Sequence, residues 1–140
     1  MIIRQFRESD AQDVSKLVFK CLKEINSKFY PQDVIEHLME VHEPEKIVER
    51  AKNQLVLVAD QYDDIIGTAT VKFSSNYFGS VFVHPDFQGQ GIGKRLMENL
   101  EALIAQNGQD EVQLHASVNA VKFYERIGYK RKGVIQDDKF

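Results

Sequence analysis

Hydrophobic residues recur along this chain with two different spacings, and segments of the two kinds alternate. A spacing of three and four residues, typical of an amphipathic helix, begins after Ser9 or Asp10, either of which is a suitable cap. The apolar face of this first helix consists of Val14, Leu17, Val18, Cys21, Leu22 and Ile25. Pro31 opens a second predicted helix, and a third short helix is expected near Pro44. The same spacing returns in a longer helix that ends at Gly108.

Apolar and β-branched runs predict about six strands between these helices. The predicted strands are residues 2–6, 55–59, 65–73, 77–83, 111–116 and 129 to about 135. Residues 61–64 are typical of a hairpin turn between strands two and three. A short helix that Asn119 caps, ending at Arg126, precedes the last strand. We therefore expect one α/β domain over residues 1–140, with a mixed, twisted central sheet of about six strands and helices on both faces.

The composition excludes several classes of partner and site. The formal net charge is −3 and basic residues are interspersed with acidic ones, so we expect no nucleic-acid binding. No apolar run approaches the roughly 18 residues of a membrane span, and no export signal is apparent, so we expect a cytoplasmic protein. Cys21 is the single cysteine and lies on an apolar helix face, which predicts a core residue rather than a catalytic thiol. His37 and His42 are five residues apart and share no helix face, so we expect no metal site.

The turn between strand four and the next helix has the composition of an anion-binding site. Gly89, Gly91 and Gly93 allow the backbone to approach a ligand closely, and the N–H groups of the helix's first turn point toward that ligand. Lys94 and Arg95 occupy the same first turn, where the helix dipole disfavours cations. Their presence indicates a bound anion, and the glycines indicate a diphosphate.

The spacing of this turn excludes two common nucleotide sites. A phosphate loop of the kinase or GTPase kind requires glycine where Gln88 stands and Ser or Thr where Arg95 stands. A dinucleotide fingerprint requires a third glycine at Lys94 or Leu96.

The hexapeptide Gln88-Gly89-Gln90-Gly91-Ile92-Gly93 instead matches the pattern Q/R-x-x-G-x-G/A, and it follows a strand that ends in Val-x-Pro. A second stretch, residues 114–129, has a strand, an Asn, a helix with a tyrosine, and then Gly-aromatic. With both motifs in this order, the chain resembles the GCN5-related N-acetyltransferase (GNAT) superfamily.

This resemblance implies that acetyl-CoA is the co-substrate and that it enters a gap between splayed strands four and five. The pantetheine arm would pair along strand four, with the N–H groups of Phe82 and Val83 available to the thioester carbonyl. The diphosphate would lie on the N–H groups of residues 88–94, with added charge from Lys94 and Arg95. The implied cofactor-binding residues are Phe82, Val83, Gln88, Gly89, Gln90, Gly91, Ile92, Gly93, Lys94, Arg95 and Asn119.

The resemblance also implies catalytic residues, each with a structural alternative. Tyr124 would hydrogen-bond the leaving sulfur, or would simply pack as a helix aromatic. Asn119 would bond the pantetheine arm, cap its helix, or do both. Strand four contains no acid, so the general base stays unassigned; the possible proton relays are His115, Ser117 and His84, of which His115 has the better claim. His84 is more consistent with a role in shaping the turn before Pro85.

Acceptor recognition would fall to the connection between the first two helices, where Phe29 and Tyr30 are adjacent. The predicted function is transfer of an acetyl group from acetyl-CoA to a primary amine of a small molecule or peptide, by direct attack in a ternary complex. The alternative is a non-catalytic acyl-CoA-binding module, which the absence of a strand-four acid favours.

The superfamily usually has a seventh strand, and this chain stops too soon after strand six to hold one. The seventh strand would then be missing, or a partner chain would supply the pairing; a truncated sequence is the simpler explanation. An uncovered edge at strand six would favour a homodimer.

Overall fold

The computed structural model describes residues 1–72, 77–106, 113–114, 121–126 and Gly128. In chain order the elements are β1 (Ile2–Gln5), α1 (Ala11–Glu24), α2 (Gln32–Glu40), α3 (Pro44–Ala51), β2 (Leu55–Gln61), β3 (Asp64–Lys72), β4 (Tyr77–Val83), α4 (Ile92–Gln106), β5 (Gln113–Leu114) and α5 (Val121–Arg126). The predicted order of elements is confirmed as far as α5. The predicted sixth strand and the helix end at Gly108 lie outside the described residues.

The described strands form one five-stranded sheet in the order β1-β2-β3-β4-β5. Neighbours from β1 to β4 are antiparallel, whereas β5 is parallel to β4. The β2–β3 hairpin turns at Tyr62 and Asp63, whose φ angles of 51° and 70° match the two-residue turn that suits the strand twist. The sheet is therefore mixed, as the sequence predicts, with its parallel pair at one end.

Helices cover both faces of this sheet. α1, α2 and α3 pack on one face, where Val58 of β2 points toward Leu22 and Ile47. α4 packs on the other face. Leu57, which precedes Val58 in β2 and therefore faces the opposite side of the sheet, belongs to the core there together with Leu96. Within the described ranges, no helix is long and apolar enough to cross a membrane.

Gly67 of β3 determines how closely α4 approaches the sheet. A Cβ atom at this position would lie 3.0 Å from Leu96 Cδ1 and 3.1 Å from Ile92 Cγ2, closer than ordinary van der Waals contact. Gly67 also stands directly opposite Val83, the last residue of β4. The missing side chain thus lets the first turns of α4 lie against the sheet beside the end of β4.

Asp10 has a different role from the predicted helix cap. It precedes α1, but no side-chain capping hydrogen bond is formed there. Its carboxylate instead accepts the Arg7 N–H at 2.8 Å and two Arg4 guanidinium bonds at 2.8 and 3.0 Å. Arg4 Nε also donates to Asp60 at 3.1 Å, so this ionic cluster ties β1, β2 and the start of α1 together. The Arg4 hydrogen bonds hold the pKa of Asp10 below its ordinary value.

Pro31 likewise lies one position earlier than predicted. It is the extended cap residue of α2, with φ −61° and ψ 158°, and the first helical residue is Gln32. Proline suits both positions because its missing N–H would have no helical acceptor at either one.

Candidate functional site

A rigid turn connects the end of β4 to the glycines. The His84 N–H donates to Ile66 O at 2.8 Å, which extends the β3–β4 pairing by one residue. His84 Nδ1 then accepts the Asp86 N–H at 3.0 Å, and the Phe87 N–H donates to His84 O at 2.9 Å. The imidazole and the Phe87 ring meet edge to face with centroids 5.4 Å apart. The prediction that His84 shapes this turn is confirmed.

Two of the three glycines form an open backbone cradle. Gly89 and Gly91 have φ angles of +76° and +80°, in the left-handed region that favours glycine, and both are exposed. A Cβ atom on either glycine would meet no described atom within 4 Å. The first hydrogen bond of α4 runs from the Arg95 N–H to Gly91 O at 3.0 Å. The N–H groups before Arg95 in this turn therefore have no acceptor within the helix and are oriented to bind an anion.

The third glycine, Gly93, also has a packing role, which the sequence did not predict. It is buried, and a Cβ atom there would lie 3.0 Å from Phe123 Cζ and 3.5 Å from Val83 Cγ2. Its small size allows α5, through Phe123, to pack against α4 and the end of β4. Gly93 therefore positions the helix that carries Tyr124 beside the cradle.

The charged and polar residues of the cradle face outward. Lys94 and Arg95 are exposed in the first turn of α4, and Gln90 is exposed between the two left-handed glycines. This arrangement leaves both cations accessible to an anion that approaches the turn from solvent.

The backbone of β4 directs alternate N–H groups to opposite sides. Because the His84 N–H faces β3, the Phe82 N–H faces β3 as well, opposite Thr68 in the register. The Val83 N–H faces the other edge of β4. Of the two predicted donors, only Val83 is thus directed away from β3.

The carbonyl of Val83 receives two side-chain donors that the sequence did not reveal. Cys21 Sγ of α1 lies 3.1 Å from Val83 O, and Gln88 Nε2 lies 2.7 Å from the same oxygen. Burial raises the pKa of the Cys21 thiol to about 12, so at neutral pH it is protonated and able to donate. Cys21 is a buried residue, as predicted, and its raised pKa argues against a nucleophilic role.

A bulge in β4 lies between Val83 and the part of β4 that pairs with β5. Thr70 pairs with Ser80 and Val71 with Phe78, so Gly79 is an extra residue on β4. The described β5 residues pair with Tyr77 and Phe78, directly before the bulge. Bulges increase local strand twist, so β4 changes direction between Phe78 and Ser80.

A small cavity lies on the opposite face of β4, under α1 and α3. Its volume is about 10 Å³, room for about one water molecule. It is lined by Val14, Val18, His42, Ile47, Arg50, Val56, Thr68, Thr70 and Phe82. This space is too small for an acceptor amine or for any part of acetyl-CoA.

His42 is a buried polar residue of this cavity, and its position was not predicted. Its Nδ1 lies 2.7 Å from Leu38 O, and within the described residues its Nε2 has no hydrogen-bond partner. The ring meets Phe82 edge to face, with centroids 5.5 Å apart. Burial lowers the pKa of His42 to about 4, so the imidazole is neutral at physiological pH. Among the described residues, no cluster of His, Cys, Asp and Glu could hold a metal ion.

The remaining predicted site residues are placed only in part. Phe29 is 52% exposed, whereas Tyr30 is half-buried against the core between α1 and α2. Tyr124 belongs to α5, but its side chain lies outside the described residues, as do His115 and Asn119. Their predicted roles stay predictions.

The mixed sheet, the helices on both faces and the glycine cradle before α4 define an acetyltransferase-like α/β fold. A GCN5-related N-acetyltransferase from Rhodopseudomonas palustris is 25% identical, with a TM-score of 0.86 over 94% of this chain and 82% of its own. PaiA N-acetyltransferase from Thermoplasma acidophilum, solved in complex with coenzyme A, is 21% identical, with a TM-score of 0.87 over 96% of this chain and 92% of its own. Glucosamine-6-phosphate N-acetyltransferase from Arabidopsis thaliana shares the fold at 22% identity, with a TM-score of 0.65 over 97% of this chain and 95% of its own.

The chain belongs to the GNAT acetyltransferase family, because the model of the acetyltransferase (GNAT) domain matches residues 25–139. The matched range includes β4, the cradle and α5, which contain most of the candidate site.

Proposed function

We propose that this protein is an acetyl-CoA-dependent N-acetyltransferase that acts on a primary amine of a small molecule or peptide. The observation that carries this proposal is the cradle, in which exposed, left-handed Gly89 and Gly91 lead into the N-terminus of α4. No described atom lies where their side chains would be, so the turn has room for a diphosphate against the backbone. The Thermoplasma relative, with coenzyme A bound, is consistent with the same kind of ligand here.

In this proposal the backbone binds most of the co-substrate. The N–H groups of residues 88–94 would hold the diphosphate, and the exposed Lys94 and Arg95 would add charge. The pantetheine arm would pair with the edge of β4 that faces away from β3. Since the Phe82 N–H faces β3, the Val83 N–H is the donor that we assign to the thioester carbonyl.

The reaction itself requires a neutral amine and a stabilised leaving thiolate. At pH 7, deprotonating a lysine-like amine of pKa about 10.4 costs about 4.6 kcal/mol, whereas an α-amine costs only about 1 to 1.4 kcal/mol. We propose His115 as the relay for that proton and Tyr124 as the hydrogen-bond donor to the departing sulfur. Full proton transfer from a phenol of pKa about 10 to a thiolate of pKa about 8.5 is uphill by roughly 2 kcal/mol, so Tyr124 would stabilise the thiolate without transferring its proton.

The acceptor would then approach from the connection between α1 and α2. Phe29 is exposed there and available for contact, whereas Tyr30 is partly committed to the core. An aromatic pair of this kind suits an amine with an apolar or cationic portion.

The test is thiol release from acetyl-CoA across a panel of polyamines, aminoglycosides, amino acids, and peptides with a free lysine or a free N-terminus. We expect release that depends on one class of amine. Acetyl-CoA binding is measured on the same sample. If the protein binds acetyl-CoA but releases no thiol, the acceptor is outside the panel or the protein is a binding module. A protein that binds no acetyl-CoA contradicts the proposal.

The second candidate is a non-catalytic acyl-CoA-binding module. The sequence of β4, Tyr77–Val83, contains no carboxylate that could act as a base, and this observation favours the module. Tight binding without release for any amine in the panel would support it over the enzyme.

A further inference from the structure

The side chain of Gln88 folds back onto the strand that precedes it. Its Nε2 donates to Val83 O at 2.7 Å. This oxygen lies on the edge of β4 that faces away from β3, because the His84 N–H of the same peptide bonds to Ile66 O at 2.8 Å on the opposite side. The described residues of β5 pair with β4 only at its other end. The Gln88 amide thus takes the place that the N–H of a further strand would have on this edge.

Two donors share this oxygen, and only one of them is accessible from solvent. Cys21 Sγ lies 3.1 Å from Val83 O on the side of α1, and Cys21 is only 2% exposed. Gln88 is exposed, and Val83 O is the acceptor of its side-chain amide. A carbonyl oxygen has two lone pairs, so a ligand on this edge can replace Gln88 while Cys21 stays in place.

Gln88 also connects the two parts of the proposed co-substrate site. Its backbone is extended, with φ −62° and ψ 148°, and it leads directly into the left-handed Gly89 at the start of the cradle. Its side chain reaches the edge of β4. A ligand that extends from the cradle along β4 therefore meets the Gln88 amide on its path.

The hydrogen bond from Gln88 is weak enough for such a ligand to replace it. A neutral hydrogen bond changes an equilibrium constant by a factor of roughly two to ten once competition from water is included. Release of the glutamine side chain also restores its rotamer freedom. A ligand whose diphosphate already lies on the cradle presents its amide at a high effective concentration, whereas an unrelated extended peptide must compete from solution.

We propose that the Gln88 side chain is a displaceable cap on β4, which covers Val83 O in the free protein and yields to an amide N–H of the pantetheine arm when acetyl-CoA binds. One hydrogen bond to Val83 O replaces another, and the Gln88 amide turns to solvent. In the free protein the cap protects this edge from pairing with other extended chains. This inference rests on the proposed function, since it assumes that acetyl-CoA lies along β4.

Gln88→Met tests the cap, because methionine has a similar length but no donor for Val83 O. Calorimetric titration compares acetyl-CoA with phosphoadenosine diphosphate, the nucleotide half of coenzyme A, which lacks the pantetheine arm. We expect Gln88→Met to bind acetyl-CoA roughly two- to tenfold more tightly than wild type, with an unchanged affinity for the nucleotide half.

Gln90→Met is the matched control. It makes the same substitution in the same turn, at an exposed residue whose side chain forms no hydrogen bond with the described residues. Any general effect of methionine on the cradle acts on both ligands. The ratio of the two affinities should therefore keep its wild-type value in Gln90→Met.

The side-chain amide resonances of Gln88 report the cap in the wild-type protein, and their absence from the spectrum of Gln88→Met identifies them. An amide proton in a short hydrogen bond to a carbonyl resonates downfield of one exposed to water. We expect acetyl-CoA to move the Gln88 amide proton to the position of an exposed glutamine, and the nucleotide half to leave it downfield.

Failure of the cap and failure of the proposed function give different results. If neither acetyl-CoA nor its nucleotide half binds, the co-substrate assignment fails and the cap fails with it. If acetyl-CoA binds while the Gln88 resonance stays in place, or if Gln88→Met changes both affinities by the same factor or neither, the co-substrate assignment stands and the cap is wrong. Weaker binding of acetyl-CoA alone to Gln88→Met also overturns the cap, because Gln88 would then hold the ligand instead of yielding to it.

Discussion

Replacement of Gly91 by Glu should remove most of the response of the protein to acetyl-CoA while leaving the fold intact. The change has two separable effects. The first is backbone strain, because Gly91 has φ +80° and an L-residue in the left-handed region costs about 1 to 2 kcal/mol. The second is the side chain, which enters the open space of the cradle and brings a negative charge to the site proposed for a diphosphate.

Both effects can be given magnitudes. For 140 residues the entropy of unfolding is about 0.3 kcal/mol/K, so the strain lowers Tm by roughly 3 to 7 °C. Two like charges about 4 Å apart repel by about 1 kcal/mol in water and about 4 kcal/mol near a protein surface, which weakens binding roughly fivefold to several hundredfold. Acetyl-CoA at 100 times the wild-type Kd raises the free energy of unfolding of the wild-type protein by about 2.7 kcal/mol, which raises its Tm by roughly 9 °C. A hundredfold weaker affinity reduces that gain to roughly 1 °C.

Thermal unfolding with and without acetyl-CoA measures both terms. Gly91→Ala separates the strain from the charge, and Gly128→Ala is the matched control, because Gly128 also has a positive φ of 107° but lies at the end of α5. We expect Gly91→Ala and Gly128→Ala to lower Tm without ligand and to keep most of the gain in Tm on acetyl-CoA addition, and Gly91→Glu to lose most of that gain. A Gly91→Glu protein with the full wild-type gain in Tm on acetyl-CoA addition would refute the cradle assignment.

Three other predictions concern stability and catalysis. The pKa of His42 is about 4 in the folded protein and about 6.5 in the unfolded chain. Below pH 6.5 the unfolded chain therefore binds a proton that the folded protein does not, and the free energy of unfolding decreases as the pH falls from about 6.5 to 4. Urea titrations should show this loss in wild type and in the His37→Gln control, whose histidine is exposed, and a flat profile across the window would contradict it. Asp10→Asn should lower the free energy of unfolding by about 2 kcal/mol at pH 7, because Arg4 loses a charged partner. The pKa of Asp10 is lowered in the folded protein, so the difference in stability between this variant and wild type should shrink as the pH falls below about 4. Tyr124→Phe should lower kcat roughly tenfold with little change in acetyl-CoA affinity, and unaltered turnover would leave Tyr124 as a packing residue.

Local patterns predicted the elements well because each is encoded by neighbouring residues. The bounds of β4 match the prediction, and the spacing of Val14, Leu17 and Val18 marks the buried face of α1. The left-handed glycines were also predictable, since their role depends on backbone freedom at the position itself. Asp10 was misassigned because a cap and an ion-pair partner have the same residue type, and its partners Arg4 and Asp60 come from two different strands.

The contacts that fix the site could not be derived in this way, because they join residues far apart in the chain. The hydrogen bond from Cys21 to Val83 O spans 62 positions, and nothing in the α1 pattern distinguishes this thiol from an ordinary core residue. The spacing of His37 and His42 argued only against a metal site, and it did not indicate that the packing of α1 and α3 on the sheet buries His42 to 6% exposure. Gly67 alone left a signal, because an isolated glycine inside a strand pattern indicates close approach of another element.

Four glycines of this protein thus separate into two groups according to the reason why each is glycine. Gly89 and Gly91 are glycines because of their own φ angles, and they leave open space in which a ligand can lie. Gly67 and Gly93 are glycines because of their neighbours: Gly67 admits α4 to the sheet, and Gly93 admits Phe123 of α5. The second group places the N-terminus of α4 beside Val83, next to the edge of β4 that faces away from β3. Substitutions in the first group should therefore act on binding with modest loss of stability, whereas substitutions in the second should disturb the packing that brings the two halves of the site together.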